Sequence, residues 1–306
     1  MSMNVQPVDP KRPDFAGVIS GVDLRQADAE IRAAIEKALD TYAVVVFHDQ
    51  PFTDEEQIIF SEPFGYLEPS RGSIHPDHKH RFDNRLSDIS NLKRGEGNVA
   101  QKVAPNDRRW LSSLANRMWH TDSSYKATPS KYSMLSARIL PSWGGQTEFA
   151  DMRAAYDALD EYTKAEIEDL VVLHSHIYSR GKLGFDDFAP NEVELNKPVP
   201  QALVRIHPGS KRKSLYLASH AGEIIGMPVP QARILLMDLT EHAIHREFVH
   251  RHEWKVGDFV IWDNRSVMHR GRKYDFINEA RDMRRTTIGD TAPTLEQKKM
   301  MQGLVA

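Results

Sequence analysis

The chain has 306 residues, of which 40% are hydrophobic, with a formal charge of −3 and no cysteine. That length suits one barrel or sandwich domain with insertions, and residues 1–306 are expected to form a single domain. Absence of cysteine excludes disulfides, thiolate metal sites and cysteine nucleophiles, and the mild charge argues against nucleic acid as a partner. Met1–Phe15 is polar and proline-rich, without the apolar run of a secretory signal, and no stretch approaches the roughly 18 apolar residues of a membrane span. These features predict a cytoplasmic protein with no membrane partner.

Asp28–Leu39 predicts an amphipathic helix, with Asp28 as N-cap and Ile31, Ala34, Ile35, Ala38 and Leu39 on one face. The run Ala43–Phe47 predicts a buried strand, and Thr53-Asp54-Glu55-Glu56 is a capping box opening a short helix through Phe60. Glu68–Asn106, polar and rich in Gly, His and Arg, predicts a long excursion with a strand at Leu86–Leu92 inside it. A strand is expected at Ser133–Leu140, then helices at Asp151–Leu159 and Thr163–Leu170, then an irregular excursion over Phe185–Pro200. Ser214–Ala218 and Asp258–Trp262 have strand patterns, Pro230–Phe248 a helical one, and Arg284–Ile288 closes the series as a strand. Strand runs with inserted helices predict an α+β protein built on a β-core.

The chemistry begins at Trp119-His120-Thr121-Asp122. In extended backbone, positions i and i+2 point to the same side, so His120 and Asp122 can meet one ion. Among 14 histidines an H-x-D pair arises readily by chance, so the pair gains weight only from a third ligand. His269, just after the strand predicted at Asp258–Trp262, supplies one. Two imidazoles and a carboxylate form the facial triad of non-haem iron oxygenases, although the same donors also suit zinc.

Anion-binding groups follow. Arg281 lies twelve residues beyond His269, and Arg285 four beyond that, so a strand places both on one face; Arg284 faces the other way and is expected to be solvated. Two inward arginines are costly to bury without anions, and a guanidinium pairs bidentately with a carboxylate. Thr147, in Gly144-Gly145-Gln146-Thr147, offers a hydroxyl that can share such a carboxylate. No G-x-G-x-x-G and no P-loop is present, which disfavours a nucleotide enzyme.

The ordered segments WHTDSSY, GGQTEFADMRAAYDAL, IHPGSKRKSLYLASHA, VGDFVIWDNRSVMHRGRKYD and ARDMRRTTIGD resemble the TauD/TfdA family of Fe(II)/2-oxoglutarate dioxygenases, from about residue 14 to about residue 290. LSDISNL, SKYSMLSA and DMRAAYDAL resemble the 2,4-dichlorophenoxyacetate dioxygenase branch rather than the taurine branch. The resemblance implies a double-stranded β-helix (jelly-roll) core with flanking helices and long insertions. It implies His120, Asp122 and His269 as iron ligands, Thr147 and Arg281 on the 2-oxoglutarate carboxylate, and Arg285 facing the acid group of the substrate. Asn116 matches a position near the co-substrate and substrate, and Ser124, His207 and His220 match positions of which some approach substrate in that branch.

The chain also departs from the pattern. The His269–Arg281 spacing is one residue longer, Asn98 stands where a basic residue is expected, and Glu223 where a histidine is expected. His75, His78 and His80 cluster in the first excursion and read as a solvated loop rather than a second metal site; Ile74 and Phe82 are candidates to meet a substrate ring. The implied activity uses Fe(II), 2-oxoglutarate and O₂, with ascorbate as a helper in vitro. It hydroxylates an aryloxyacetate at the methylene beside the ether oxygen, releasing a phenol and glyoxylate with succinate and CO₂. Competing expectations are the same chemistry on taurine, another sulfonate or another small carboxylate, and a non-catalytic barrel that binds metal and an organic acid. A homo-oligomer, dimer or tetramer, is expected.

Overall fold

The structure, a computed structural model, describes residues 3–70, 81–95 and 100–305. Ile74, His75, His78, His80 and Asn98 lie outside the described residues. No described helix is long and apolar enough to cross a membrane.

Two short strands, β1 (Asn4–Pro7) and β2 (Gly17–Ser20), precede helix α1 (Ala29–Tyr42). Asp28 caps α1 by accepting the Ile31 N–H, as its position predicts, and Ala43 ends it in the left-handed region. The apolar run forms β3 (Val44–Phe47), and Thr53 and Glu56 close the predicted capping box of α2 (Asp54–Ser61). The first excursion carries β4 (Ser87–Asp88), β5 (Leu92–Arg94) and β6 (Ala100–Lys102), so the strand expected at Leu86–Leu92 is split in two. The break falls at Ser90, whose hydroxyl accepts the Leu92 N–H in place of a strand partner.

Helix α3 (Arg108–Ser113) leads to the H-x-D segment, then to β7 (Ser130–Ile139) and β8 (Thr147–Asp151). Asp151 caps α4 (Met152–Asp157) and Asp160 caps α5 (Glu161–Ile167). Then come β9 (Val171–His174), α6 (His176–Gly181) and α7 (Pro190–Leu195). The segment Phe185–Pro200 is thus not wholly irregular: Pro190 opens α7, and the Glu192 carboxylate accepts the Ala189 N–H. Strands β10 (Val199–Ala202), β11 (Val204–Ile206), β12 (Lys213–Leu215) and β13 (Ala221–Ile224) precede α8 (Val229–Ala243). The chain ends through β14 (Val249–His252), β15 (Phe259–Asp263), β16 (Val267–Gly271), β17 (Asp282–Gly289) and α9 (Thr294–Val305).

Among the described residues, a seven-stranded sheet has the order β1-β2-β3-β15-β7-β17-β4, and a smaller sheet the order β14-β8-β16. Alternation along β15 sorts the core. Phe259 and Ile261 pack outward with Ile35, Leu39 and Ile58 of α1 and α2, whereas Val260 and Trp262 pack inward with Phe149 and Val267 of the smaller sheet. The fold is α+β, and the two sheets face each other across this inner layer. Burying an inward side chain such as Phe149 contributes about 2 kcal/mol by area alone.

Two expectations are corrected on the outer face. Arg284 is buried rather than solvated: it pairs with Asp282 and Asp54 and lies 4.0 Å over the Phe82 ring, because α2 and the segment before β4 cover this face of β17. Phe82 is thereby committed to Arg284 and the outer core, away from the inner layer.

His174, at the end of β9, is fully buried and stacked 5.7 Å from Tyr216; burial pushes its pKa down to about 3. The unfolded chain therefore takes up a proton near pH 6.5 that the folded chain refuses until about pH 3, so stability falls as pH drops through that window. His174→Phe, keeping a ring against Tyr216, is expected to flatten the acid limb of urea-unfolding stability by up to about 1.4 kcal/mol per pH unit.

Candidate metal and organic-acid site

The site is built on one pair of backbone hydrogen bonds. The His120 N–H donates to the His269 carbonyl at 3.0 Å, and the His269 N–H returns to the His120 carbonyl at 2.8 Å. An antiparallel pair of this kind puts both side chains on one face, here with ring centroids 4.2 Å apart. His269 follows β15, as its sequence position predicts, and lies in a strand of its own, β16. Thr121 turns the opposite way and donates to the Leu217 carbonyl, so Asp122 returns to the His120 side as the i, i+2 spacing predicts. Ser123, at φ +53°, ends the extended run. One donor atom from each of His120, Asp122 and His269 lies within 4.8 Å of the others, and all three residues are buried.

The donors are held in the right state to bind a cation. His120 Nδ1 lies 2.8 Å from the Met118 carbonyl, which fixes its proton there and leaves Nε2 as the free lone pair facing Asp122. Burial lowers the pKa of His120, and drives that of His269 well below the ordinary value, so both imidazoles are neutral. Burial alone would raise the Asp122 carboxyl. The Arg285 charge, with the Ser133 hydrogen bond, outweighs it and holds Asp122 well below the usual carboxylate range. Two side chains not singled out in the sequence orient Asp122: the Ser133 hydroxyl donates to it at 2.7 Å, and Asn264 donates to Ser133 while accepting the Asp122 N–H. Nothing local in the sequence marks Ser133 or Asn264, because their role depends on β7 and β15 lying side by side.

A pocket between the sheets opens onto His120 and His269 and reaches Thr147 and Arg281. Arg281 and Arg285 share its wall, as their spacing predicts. Arg281 is buried and has no carboxylate partner among the described residues; two of its nitrogens reach only the Ile89 and Gly145 carbonyls, and Nε has no partner. Burial lowers its pKa, partly offset by Tyr274. Arg285 donates to Asp122 at 2.6 Å. Arg117 and Arg272 also line the pocket, and Asp88 is the acid among its described lining residues, so the electrostatics favour acidic ligands. Gly144 and Gly145, at φ +76° and +74°, turn the chain into β8; a Cβ on Gly144 would collide with the Lys273 carbonyl oxygen.

Asn116 lines the same pocket. His220 is buried behind the triad, 6.4 Å from the His120 ring and 4.8 Å from Tyr125, and does not line the pocket. Ser124 is fully buried, with its carbonyl accepting from Gln201, and is likewise outside the lining. The structure does not bring His207 to the site. Its Nε2 bonds Asp263 at 2.9 Å and its Nδ1 accepts the Ser210 N–H at 3.0 Å, which uses both ring nitrogens on the outer side of β15. Glu223 is exposed.

A buried triad of two imidazoles and a carboxylate, opening onto a cation-lined pocket between two sheets, could hold one metal ion beside an acidic ligand. The chain belongs to the taurine catabolism dioxygenase TauD, TfdA family, whose profile matches residues 4–287. It is 44% identical over 286 residues to the alpha-ketoglutarate-dependent 2,4-dichlorophenoxyacetate dioxygenase of Cupriavidus pinatubonensis, covering 93% of this chain and 98% of the relative. It is 34% identical to the (S)-phenoxypropionate/alpha-ketoglutarate-dioxygenase of Sphingobium herbicidovorans, over 95% of this chain and 96% of that one. The crystal structure of AAD-2 in complex with Mn(II) and N-oxalylglycine superposes with a TM-score of 0.86 at 48% identity, covering 96% of this chain and 99% of that one.

Ser133→Ala removes a hydrogen bond to Asp122 without touching the triad. It is expected to weaken divalent-metal affinity roughly tenfold, measured by Mn(II) titration of the metal-free protein.

Proposed function

We propose that this protein is an Fe(II)/2-oxoglutarate-dependent dioxygenase that hydroxylates an aryloxyacetate, such as 2,4-dichlorophenoxyacetate, at the methylene beside the ether oxygen. One observation carries the reading: 44% identity to a 2,4-dichlorophenoxyacetate dioxygenase along nearly the whole of both chains. The site agrees with it. His120, Asp122 and His269 would hold the metal, and three protein ligands would leave room for co-substrate and O₂ to bind it. Thr147 and Arg281 receive the distal carboxylate of 2-oxoglutarate, with Asn116 beside it, and Arg285 receives the substrate carboxylate. The pairing of two facing sheets supports a double-stranded β-helix, formed as one domain over residues 1–306.

When bound, iron, 2-oxoglutarate and O₂ together supply the oxidant, and the co-substrate leaves as succinate and CO₂. The protein binds, orients and excludes water. Arg281 is dry and short of an acceptor, so a carboxylate fits it without displacing a protein partner. Arg285, on the same wall and in contact with Asp122, brings a second carboxylate beside the triad and sets the adjacent methylene toward the metal. Trp110, Leu114 and Ile89 give the pocket an apolar side suited to an aryl ring. Hydroxylation of that methylene gives a hemiacetal, which collapses to a phenol and glyoxylate.

Aerobic turnover with Fe(II), ascorbate and 2-oxoglutarate, following succinate and phenol with 2,4-dichlorophenoxyacetate beside a taurine control, tests the assignment. Phenol equal to succinate is expected; succinate with taurine alone would overturn it. His120→Ala is expected to abolish coupled turnover. Arg285→Ala is expected to raise KM for the aryloxyacetate roughly ten- to a hundredfold and to change KM for 2-oxoglutarate far less; the reverse order would mean the two arginines have exchanged roles.

A further inference from the structure

We infer that Trp254 is a positioning residue for the co-substrate: its indole N–H fixes the Thr147 hydroxyl so that the hydroxyl proton is presented to a carboxylate in the pocket. This rests on the reading that Thr147 and Arg281 receive the distal carboxylate of 2-oxoglutarate.

The direction of the contact is unambiguous. Trp254 Nε1 lies 3.0 Å from Thr147 Oγ1, and an indole N–H can only donate, so Thr147 is the acceptor in this bond. A hydroxyl has one proton, and once its oxygen accepts from one side that proton is turned elsewhere. Among the described residues Thr147 Oγ1 donates to no protein acceptor. Its residue is 4% exposed and lines the pocket that holds Arg281, whose Nε is buried and without a partner. An ionised carboxylate only accepts, so a threonine donor and a guanidinium donor on one pocket wall form a matched receptor. Left free, the hydroxyl rotates among staggered positions and can act as an acceptor, which repels the same carboxylate.

Trp254 is itself braced. It follows β14, whose His252 pairs directly opposite Thr147 in the smaller sheet. The His252 ring meets the indole edge-on at 4.6 Å and 88°. His252 Nε2 bonds Asp258 at 3.0 Å, and the same carboxylate accepts the Lys255 N–H at 2.8 Å and meets His48 Nδ1 at 2.7 Å. The turn carrying Trp254 is therefore closed from both sides. Tryptophan also suits the position chemically: tyrosine, histidine or glutamine can donate or accept, and so would let the hydroxyl reverse.

The test is anaerobic calorimetric titration of 2-oxoglutarate into Mn(II)-loaded protein, for the wild type, Trp254→Phe, Thr147→Val and the double variant. Trp254→Phe keeps an aromatic ring and deletes the donor. It is expected to weaken 2-oxoglutarate binding about three- to tenfold, while Thr147→Val weakens it roughly ten- to a hundredfold. The double variant should bind as Thr147→Val does, because the indole has no hydroxyl left to orient. Mn(II) affinity, ligand-free melting temperature and KM for the aryloxyacetate should stay near wild type in Trp254→Phe. Wild-type affinity in Trp254→Phe, or additive losses in the double variant, would overturn the positioning role while leaving the carboxylate reading intact. Wild-type affinity in Thr147→Val would overturn that reading, and this inference with it. Should Trp254→Phe fold poorly, the wild-type indole resonance decides: in ¹⁵N-labelled Zn(II)-loaded protein the Trp254 N–H signal is expected to shift on adding 2-oxoglutarate, since a hydroxyl that donates to a carboxylate becomes a stronger acceptor. A stationary signal at saturation would overturn the inference.

Discussion

Two backbone hydrogen bonds, exchanged between His120 and His269, are the constraint on which the site depends. They tie a loop that follows α3 to the third strand of the smaller sheet and so set two imidazoles side by side. Everything else about the triad is then a matter of bringing one carboxylate to that pair. Asp122 arrives two residues after His120, and its angle is set from the opposite sheet, through Ser133 on β7 and Asn264 just beyond β15. The geometry of the triad is thus a statement about the spacing of two sheets, and that spacing is enforced by the close-packed layer of Phe149, Val260, Trp262 and Val267 between them.

The same layered plan explains why cations can be buried here. A guanidinium in an apolar layer is stabilised only by an anion or by well-placed carbonyls. Arg265 and Arg284, on the outer side of the larger sheet, are matched by Asp263 and by Asp282 with Asp54, and act as structural pairs. Arg281 has carbonyls alone, and Arg285 leans on a residue suited to bind metal. The contrast between matched and unmatched arginines separates architecture from function more sharply than burial does, since Arg281 and Arg284 are equally buried.

Much of this was legible in the sequence, for physical reasons. The period-two pattern puts Arg281 and Arg285 on one face whatever the topology, and the H-x-D spacing does the same for His120 and Asp122. Caps at Asp28 and Thr53 are local chemistry and were readable as such. What was not legible depends on contacts between distant segments. Arg284 seemed solvated until α2 covered it, and His207 could not be assigned to the outer face before Asp263 was known to meet it. Ser133, Asn264 and Trp254 carry no local signal, because serine, asparagine and tryptophan have roles here only through a neighbour on another strand.

The pocket has one further property that follows from where its two ends are anchored. Thr147 begins a strand of the smaller sheet, and Arg281 stands immediately before an edge-to-centre strand of the larger one. A dicarboxylate held by both, or a metal held by His269 and by an aspartate oriented from β7, is a cross-link between the halves of the sandwich. Such a ligand binds the folded chain and not the unfolded one, so occupancy and folding are thermodynamically linked, by an amount that grows with the logarithm of ligand concentration over its dissociation constant. Bound in that way, metal and dicarboxylate would each stabilise the folded chain, and the loaded protein would be harder to unfold than the empty one.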